Sequence, residues 1–280
     1  MELGFTLVYA VTMIVALQGN ILLMYIVWRK CETRTLTSFL FVNMAIADLL
    51  IAVFQMPFSM AHFYGSEFTG AVGNLFYRFV FYLVNVSMKA SIFSLVVMAF
   101  DRYFAVIHPL KRMIWFRRAK IILTIILMAS WTLMAVTPFF YMAEDSLGKC
   151  FYTDERIPRV LFSTYLLLIN YIMPLAIISA LYIIIARKIW FHEIPGQLDS
   201  FRQIPRKKVV RTLIITMVVF AVCWFPIPVL QMNFAVTAEI TWHPFAFYSI
   251  YWLGQNNSAI NPWLYIGLNG KMNAAFKTMI

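Results

Sequence analysis

The chain of 280 residues is 62% hydrophobic and only 12% charged, with 17 Met, 26 Phe and a mean hydropathy of +0.78. A soluble domain carries roughly 25% charged residues, so the composition excludes a soluble globular protein and points to an all-α integral membrane protein. Three cysteines, Cys31, Cys150 and Cys223, are too few for a disulfide framework, and their spacing has no metal-ligand pattern.

A bilayer-crossing helix needs about 20 mostly apolar residues. Apolar runs broken by short polar stretches place seven spans near 4–28, 38–64, 73–104, 119–141, 160–188, 209–234 and 244–267, all in one domain over 1–280. The first run lacks a basic flank and a small-residue cleavage site, so the first span is expected to act as its own insertion signal. After the last span, Asn269 to Ile280 reads as a short amphipathic helix. Its Phe276 and Met279 are expected on the membrane surface, with Lys271 and Lys277 outward. The chain contains no internal repeat and no low-complexity segment.

Orientation follows from the bias of Lys and Arg among the loops. The connections after spans 1, 3 and 5, with Arg102, Lys271 and Lys277, hold 18 of the 23 basic residues against four acids, a balance of +14. The opposite side holds four basic residues against seven acids, or −3, and Asp48 and Lys89 remain within spans. The N-terminus is therefore expected outside and the C-terminus in the cytoplasm. The overall charge of +11 is explained by this topology and by contact with lipid, and is no argument for a nucleic-acid partner.

Ionisable groups inside a span are costly and mark function by default. The third span carries Lys89 and closes in Asp101-Arg102-Tyr103 at the point where the helix leaves the lipid. Other spans carry marks of their own: Gly19-Asn20 in the first, Met44-Ala45-Ile46-Ala47-Asp48 in the second and Trp131 in the fourth. The fifth has Pro174 and Tyr182. The sixth has Phe220 followed by Cys223-Trp224-Phe225-Pro226, and the seventh runs Asn257-Ser258-Ala259-Ile260-Asn261-Pro262-Trp263-Leu264-Tyr265. In this order, each in its own span, these segments resemble the rhodopsin-like (class A) G-protein-coupled receptors over nearly the whole chain. The seven-helix bundle of that family is the expected fold.

The resemblance implies a division of labour. Arg102, paired with Asp101 and flanked by Tyr103, would contact a heterotrimeric G protein, with Tyr182 and Tyr265 turning inward to support the open state. Phe220, Trp224 and Pro226 in span 6, with Asn261 and Pro262 in span 7, would carry the movement between the two ends. Pro138, Pro174, Pro226 and Pro262 each remove a backbone hydrogen bond and kink a helix, although proline is also simply common in membrane helices. Arg206 stands where many family members carry an acid that holds the arginine, so basal activity is expected to be raised. The resemblance also implies a sodium ion held by Asp48, Ser91, Trp224, Asn257 and Asn261, and no covalent cofactor. The alternative for Asp48 is a protonated carboxyl in a water network.

The ligand end is less explicit. Val84 stands where amine receptors carry an aspartate, and Gln255 where opsins carry the retinal lysine, so neither ligand class fits. The remaining pocket residues are Phe58, His62, Phe81, Val84, Asn85, Met88, Trp224, Ile227, Gln231, Tyr251 and Gln255, an aromatic and amide lining suited to a short neuropeptide. A melatonin-like small molecule is the alternative, because Tyr265-Ile-Gly-Leu-Asn269 is similar to that type of receptor. Lys89, one turn from Asn85, has two readings: a desolvated structural lysine bonded to Asn85 and backbone carbonyls, or a pocket floor that meets the ligand. Two other classes fit poorly. A transporter needs pseudo-symmetric halves, and an enzyme needs converging groups, whereas His62, His108, His192 and His243 lie at or beyond span ends.

One departure from the family matters. The resemblance implies a disulfide between the outer end of span 3 and the second outer loop. Cys150 matches the loop partner, but Tyr77 occupies the span-3 position and Gly70 replaces the first-loop tryptophan. The loop from Met142 to Arg159 is therefore expected to be more mobile than in relatives. Dithiothreitol should accordingly leave ligand binding unchanged, as measured on membranes with and without reductant; a loss would show Cys150 bonded to another partner.

Overall fold

The computed structural model describes residues 2–29, 36–64, 70–108, 142–144, 150–152, 156–191, 200–237 and 243–279. The fourth predicted span, with Trp131 and Pro138, lies outside the described residues, as do the side chains of His62, Cys150 and Arg206. In lipid every backbone amide must be satisfied within the protein, and the apolar runs accordingly form long helices. These are α1 (Glu2–Arg29), α2 (Leu36–Leu50), α3 (Met56–Phe63) and α4 (Gly70–Ile107). After the short strands β1 (Met142–Glu144) and β2 (Cys150–Tyr152) come α5 (Arg156–Leu167), α6 (Met173–Phe191), α7 (Ser200–Trp224) and α8 (Pro226–Thr237). The helices α9 (Pro244–Leu268) and α10 (Gly270–Lys277) close the chain.

Three spans depart from a regular helix, each next to a proline. In span 2, a wide π turn at Ile51–Gln55 joins α2 to α3, with the Met56 N–H reaching back to the Ile51 carbonyl. In span 5, Leu168–Ile172 does the same between α5 and α6, with Met173 bonded to Leu168. Pro57 and Pro174 follow immediately. A proline ring presses against the carbonyl four residues back and donates nothing to it, and a wide turn relieves both conflicts. Span 6 breaks outright: Phe225 still donates to the Ala221 carbonyl at 3.0 Å, and Pro226 then starts α8. By contrast α9 runs unbroken through Pro262.

Five described helical runs are long and apolar enough to cross a membrane: 3–29, 37–61, 70–107, 157–189 and 210–237. The seventh span, α9, is not among them, because Gln255, Asn257, Ser258 and Asn261 dilute its apolarity. All four of those side chains are buried, on the face turned to the bundle. α4 is the central strut, with 72% of its apolar window buried against 33% for the first span and 28% for the fifth. It packs on α2, α6 and α7, while α9 packs on α1, α2 and α7. Exposed Leu3, Leu7, Val11 and Ile14 on α1, and Val218 and Val222 on α7, are left facing outward, as lipid requires.

One expectation needs correction. Phe276 and Met279 do not lie free on the membrane surface: both pack against the buried core, and Met272 and Ala275 are buried between α10 and its neighbours. Asn269 caps α10 by accepting from the Lys271 and Met272 amides, which turns the chain sharply and brings that face inward. Between the fourth and fifth predicted spans, β1 and β2 pair antiparallel with Ala143 opposite Phe151.

Gly19 fixes how closely the first and seventh spans approach. A Cβ there would lie 2.7 Å from Pro262 Cγ and 2.9 Å from Trp263 Nε1, whereas one on Gly4 would meet nothing. Gly19→Ala should cost about 1–3 kcal/mol by overpacking and lower the melting temperature of detergent-solubilised protein, with Gly4→Ala unchanged as the control.

Candidate functional site

The polar side chains of the bundle collect in three places along its axis. At its centre, Asp48 of α2 is buried to 1% exposure. A bare carboxylate at this depth would cost several kcal/mol, and α9 supplies its partners. Ser258 Oγ donates to Oδ1 at 2.8 Å and Asn261 Nδ2 donates to Oδ2 at 3.3 Å. The first span joins in, because Asn20 Nδ2 donates to the Ala16 carbonyl at 2.8 Å and the Ser258 carbonyl at 3.0 Å. Ser258 is therefore a direct partner of Asp48 that sequence reasoning did not name. Its signal was present: it lies between Asn257 and Asn261 in a run of polar residues inside an apolar span.

Four of the five residues proposed for a cation carry oxygen or a carboxylate, and the geometry fits such a role. Asn257 Oδ1 and Asn261 Oδ1 are buried without a hydrogen-bond partner, and the Asn261 amide already touches the Asp48 carboxylate. Unpaired buried oxygens beside a carboxylate suit a hard cation. Ser91 is buried on the neighbouring α4. Trp224 contributes only an N–H, which is buried and unpaired, so its part in such a site is at most a wall.

At one end of the bundle Asp101 pairs with Arg102, with Nη2 and Oδ2 3.2 Å apart. Arg102 also donates to Thr37 Oγ1, and Thr37 Oγ1 donates weakly to Asp101 Oδ2 at 3.5 Å. Asp101 and Thr37 are buried while Arg102 is partly exposed. Thr37, at the start of α2, is a second tether that the sequence did not reveal. Tyr103 turns away to pack edge-on against Phe104 and His108. Tyr182 and Tyr265 are both buried: Tyr265 stacks on Phe41 at 4.1 Å and its hydroxyl reaches Met44 Sδ at 3.5 Å, while the Tyr182 hydroxyl has no hydrogen-bond partner. Phe220 lies one turn from Trp224, ring centroids 6.1 Å apart.

In the other half a cavity of about 190 Å³ opens between the helices. Of the predicted ligand residues, span 2 contributes Phe58, span 3 contributes Phe81, Val84, Asn85 and Met88, and span 6 contributes Trp224, Ile227 and Gln231. Tyr251 and Gln255 come from span 7. Lys89 is not brought into this wall; it is completely buried, one turn deeper than Asn85. Asn85 itself donates to the Phe81 carbonyl at 3.0 Å.

The cavity has further walls that sequence reasoning missed: Tyr9 from span 1, Gln55 and Ser59 from span 2, Asn170 from span 5, and Phe247 and Tyr248 from span 7. Gln55 and Asn170 sit in the two π turns, where an added residue per turn changes the face that a side chain presents. Tyr77 and Val80 continue the stripe of Phe81, Val84, Asn85 and Met88 one turn outward, so the helical period alone could have found them. None of the described lining residues is charged. Gln255 donates to Ser59 Oγ at 3.1 Å, while Gln255 Oε1, Asn170 Oδ1 and Trp224 Nε1 are buried without hydrogen-bond partners. Unpaired atoms of this kind in a cavity wall are what a bound molecule or water engages. Among the described residues no three His, Cys, Asp or Glu side chains converge.

A cavity in one half, a buried polar centre and a tethered Asp-Arg pair at the far end are the layout of a seven-helix membrane receptor. Residues 19–265 match the family model for the 7 transmembrane receptors (rhodopsin family), and the chain belongs to that family, the rhodopsin-like G-protein-coupled receptors. It is similar to the allatostatin-A receptor of Bombyx mori, at 29% identity over 95% of this chain and 76% of that receptor. The tachykinin-like peptides receptor 86C of Drosophila melanogaster is 28% identical over 98% of this chain and 58% of its own length. The substance-P receptor of Cavia porcellus is 26% identical over 96% and 69%.

Thr37→Val keeps the side-chain volume and removes the hydroxyl that helps hold Arg102. A hydrogen bond to a charged group contributes roughly 1.5–3 kcal/mol at most, so nucleotide exchange without ligand should rise about threefold or more in membranes carrying the variant.

Proposed function

We propose that this protein is a plasma-membrane receptor for a short peptide, with its N-terminus outside and C-terminus cytoplasmic, and that it activates a heterotrimeric G protein through Arg102. The observation that carries this reading is the pairing of an uncharged aromatic and amide cavity with a separate Asp101–Arg102–Thr37 cluster at the other end of the same helix, α4. Relatives whose names denote peptide receptors support the ligand class. The charge balance of the loops supports the orientation. An agonist acts by population shift, and its effect is limited to its differential affinity for the two arrangements of the bundle. No catalytic role is assigned to any residue.

Sodium belongs to this reading as an allosteric ligand. Asp48, Asn257, Asn261 and Ser91 would hold it, and it would supply the counter-charge that Asp48 otherwise lacks, favouring the resting arrangement. Ser258 of span 7 donates to the carboxylate, and Asn20 of span 1 donates to the Ser258 carbonyl.

The test is guanine-nucleotide release from an added G protein, driven by synthetic peptide pools on membranes that contain the receptor. At least one pool should stimulate release, and Arg102→Ala should abolish the response while surface expression persists. Stimulated release from a well-expressed Arg102→Ala protein would overturn the coupling assignment. In the same membranes the affinity of the active peptide should fall as sodium rises, since linkage is reciprocal. Asp48→Asn should remove that dependence.

A further inference from the structure

Tyr77 occupies the position where the family resemblance puts half of a disulfide. In this chain it does something else. Its side chain is half-buried, lines the cavity, and meets Phe58 of α3 edge-on with ring centroids 5.5 Å apart. Phe58 in turn contacts Phe76, the neighbour of Tyr77, at 6.2 Å. A second aromatic wall comes from span 7, where Phe247 and Tyr251 lie 4.8 Å apart and both line the same cavity. Tyr77 and Phe58 line that cavity together with this pair.

Two aromatic pairs in one cavity whose described lining residues carry no charge define the chemistry of what fits. An apolar planar group gains contact area on both sides, and aromatic pairs prefer the offset or edge-on arrangements that these tilted rings offer. A carboxylate finds no cation among the described lining residues, and an ammonium finds no acid. A bare charge in such a slot would forfeit its hydration without a partner.

We propose that Tyr77 is a ligand-contact residue, and that the slot between Phe58–Tyr77 and Phe247–Tyr251 receives an uncharged aromatic side chain of the ligand. The position that staples loop to helix in relatives serves specificity here. This assignment rests on the reading of the protein as a peptide receptor, but its test does not need the natural peptide.

The experiment uses purified full-length receptor in detergent and three small probes: the N-acetyl methylamides of phenylalanine, leucine and lysine. Binding is read by thermal shift and by equilibrium dialysis at millimolar probe. The phenylalanine probe should bind and stabilise the receptor, with the other two weaker by about threefold to tenfold, the range of one aromatic pair. Tyr77→Ala should lose that preference, Tyr77→Phe should keep it, and the melting temperature of the ligand-free variants separates contact from scaffold. A purely structural Tyr77 would lower that temperature and leave the ratio between the three probes unchanged, which overturns the proposal. So would equal binding of all three probes, or no binding of any. Phenylalanine-selective binding without peptide-stimulated nucleotide release would instead overturn the function while sparing the slot.

Discussion

The bundle is organised by the need to satisfy one carboxyl group in its interior. Asp48 is buried in the middle of the bundle, and its oxygens take hydrogen bonds from Ser258 and Asn261. Those donors lie three residues apart, on one face of α9, so α2 and α9 must meet in a single register. Asn20 fixes the third partner by bonding the Ser258 carbonyl. The missing Cβ of Gly19 lets α1 approach Pro262 closely enough for that bond to form. One polar group thus sets the mutual positions of spans 1, 2 and 7, which apolar packing in lipid would leave loosely specified.

Prolines set the other half of the architecture. Two of them produce π turns and a third divides span 6, and each disturbance faces the cavity or its floor. Tyr171, within the span-5 π turn, donates to the Ala221 carbonyl at 2.9 Å. That carbonyl is also the acceptor for Phe225, the last amide before the break at Pro226. The irregular part of span 5 is thereby tied to the hinge of span 6. A carbonyl oxygen has two lone pairs, so Ala221 serves both donors at once.

Much of this was legible in the sequence. The apolar runs gave the spans, because a lipid-embedded backbone has few alternatives to helix, and Asp48, Arg102 and Trp224 were conspicuous as polar or bulky groups in apolar company. Other features were not legible, each for a physical reason. The π turn at Ile51–Gln55 depends on Pro57, whose local effect on register decides whether Gln55 and Ser59 face the cavity. Thr37 is one hydroxyl among several near a helix start, and only the packing of α2 against α4 brings it to Arg102. Phe276 and Met279 read as surface residues because their burial is created by the turn at Asn269. Lys89 looked like a pocket residue because it shares a face with Asn85, yet four residues along a helix is about 6 Å of depth, enough to take it out of the wall.

These constraints explain how a cavity in one half can influence a cluster in the other. From Asn85 to Arg102 is 17 residues along α4, roughly 25 Å at 1.5 Å per residue, and an unbroken buried helix is a poor candidate for bending. Span 6 is different. Its C-terminal piece, α8, carries Ile227 and Gln231 into the cavity wall, and its N-terminal piece, α7, ends in Trp224 with an unpaired indole N–H. A ligand that engages that N–H gains free energy in one position of the ring and loses it in another, and the tilted Phe220 ring lies 6.1 Å away, one turn along the same helix. Reversing a 1:99 equilibrium needs about 5.5 kcal/mol of differential affinity, more than one hydrogen bond supplies. The remainder must come from contacts that differ between the two arrangements of α8 and α9, and there Gly254 matters. A Cβ at Gly254 would lie 2.6 Å from Ile227 Cδ1, so the bare glycine is what lets Ile227 of α8 sit close against α9 beside the cavity.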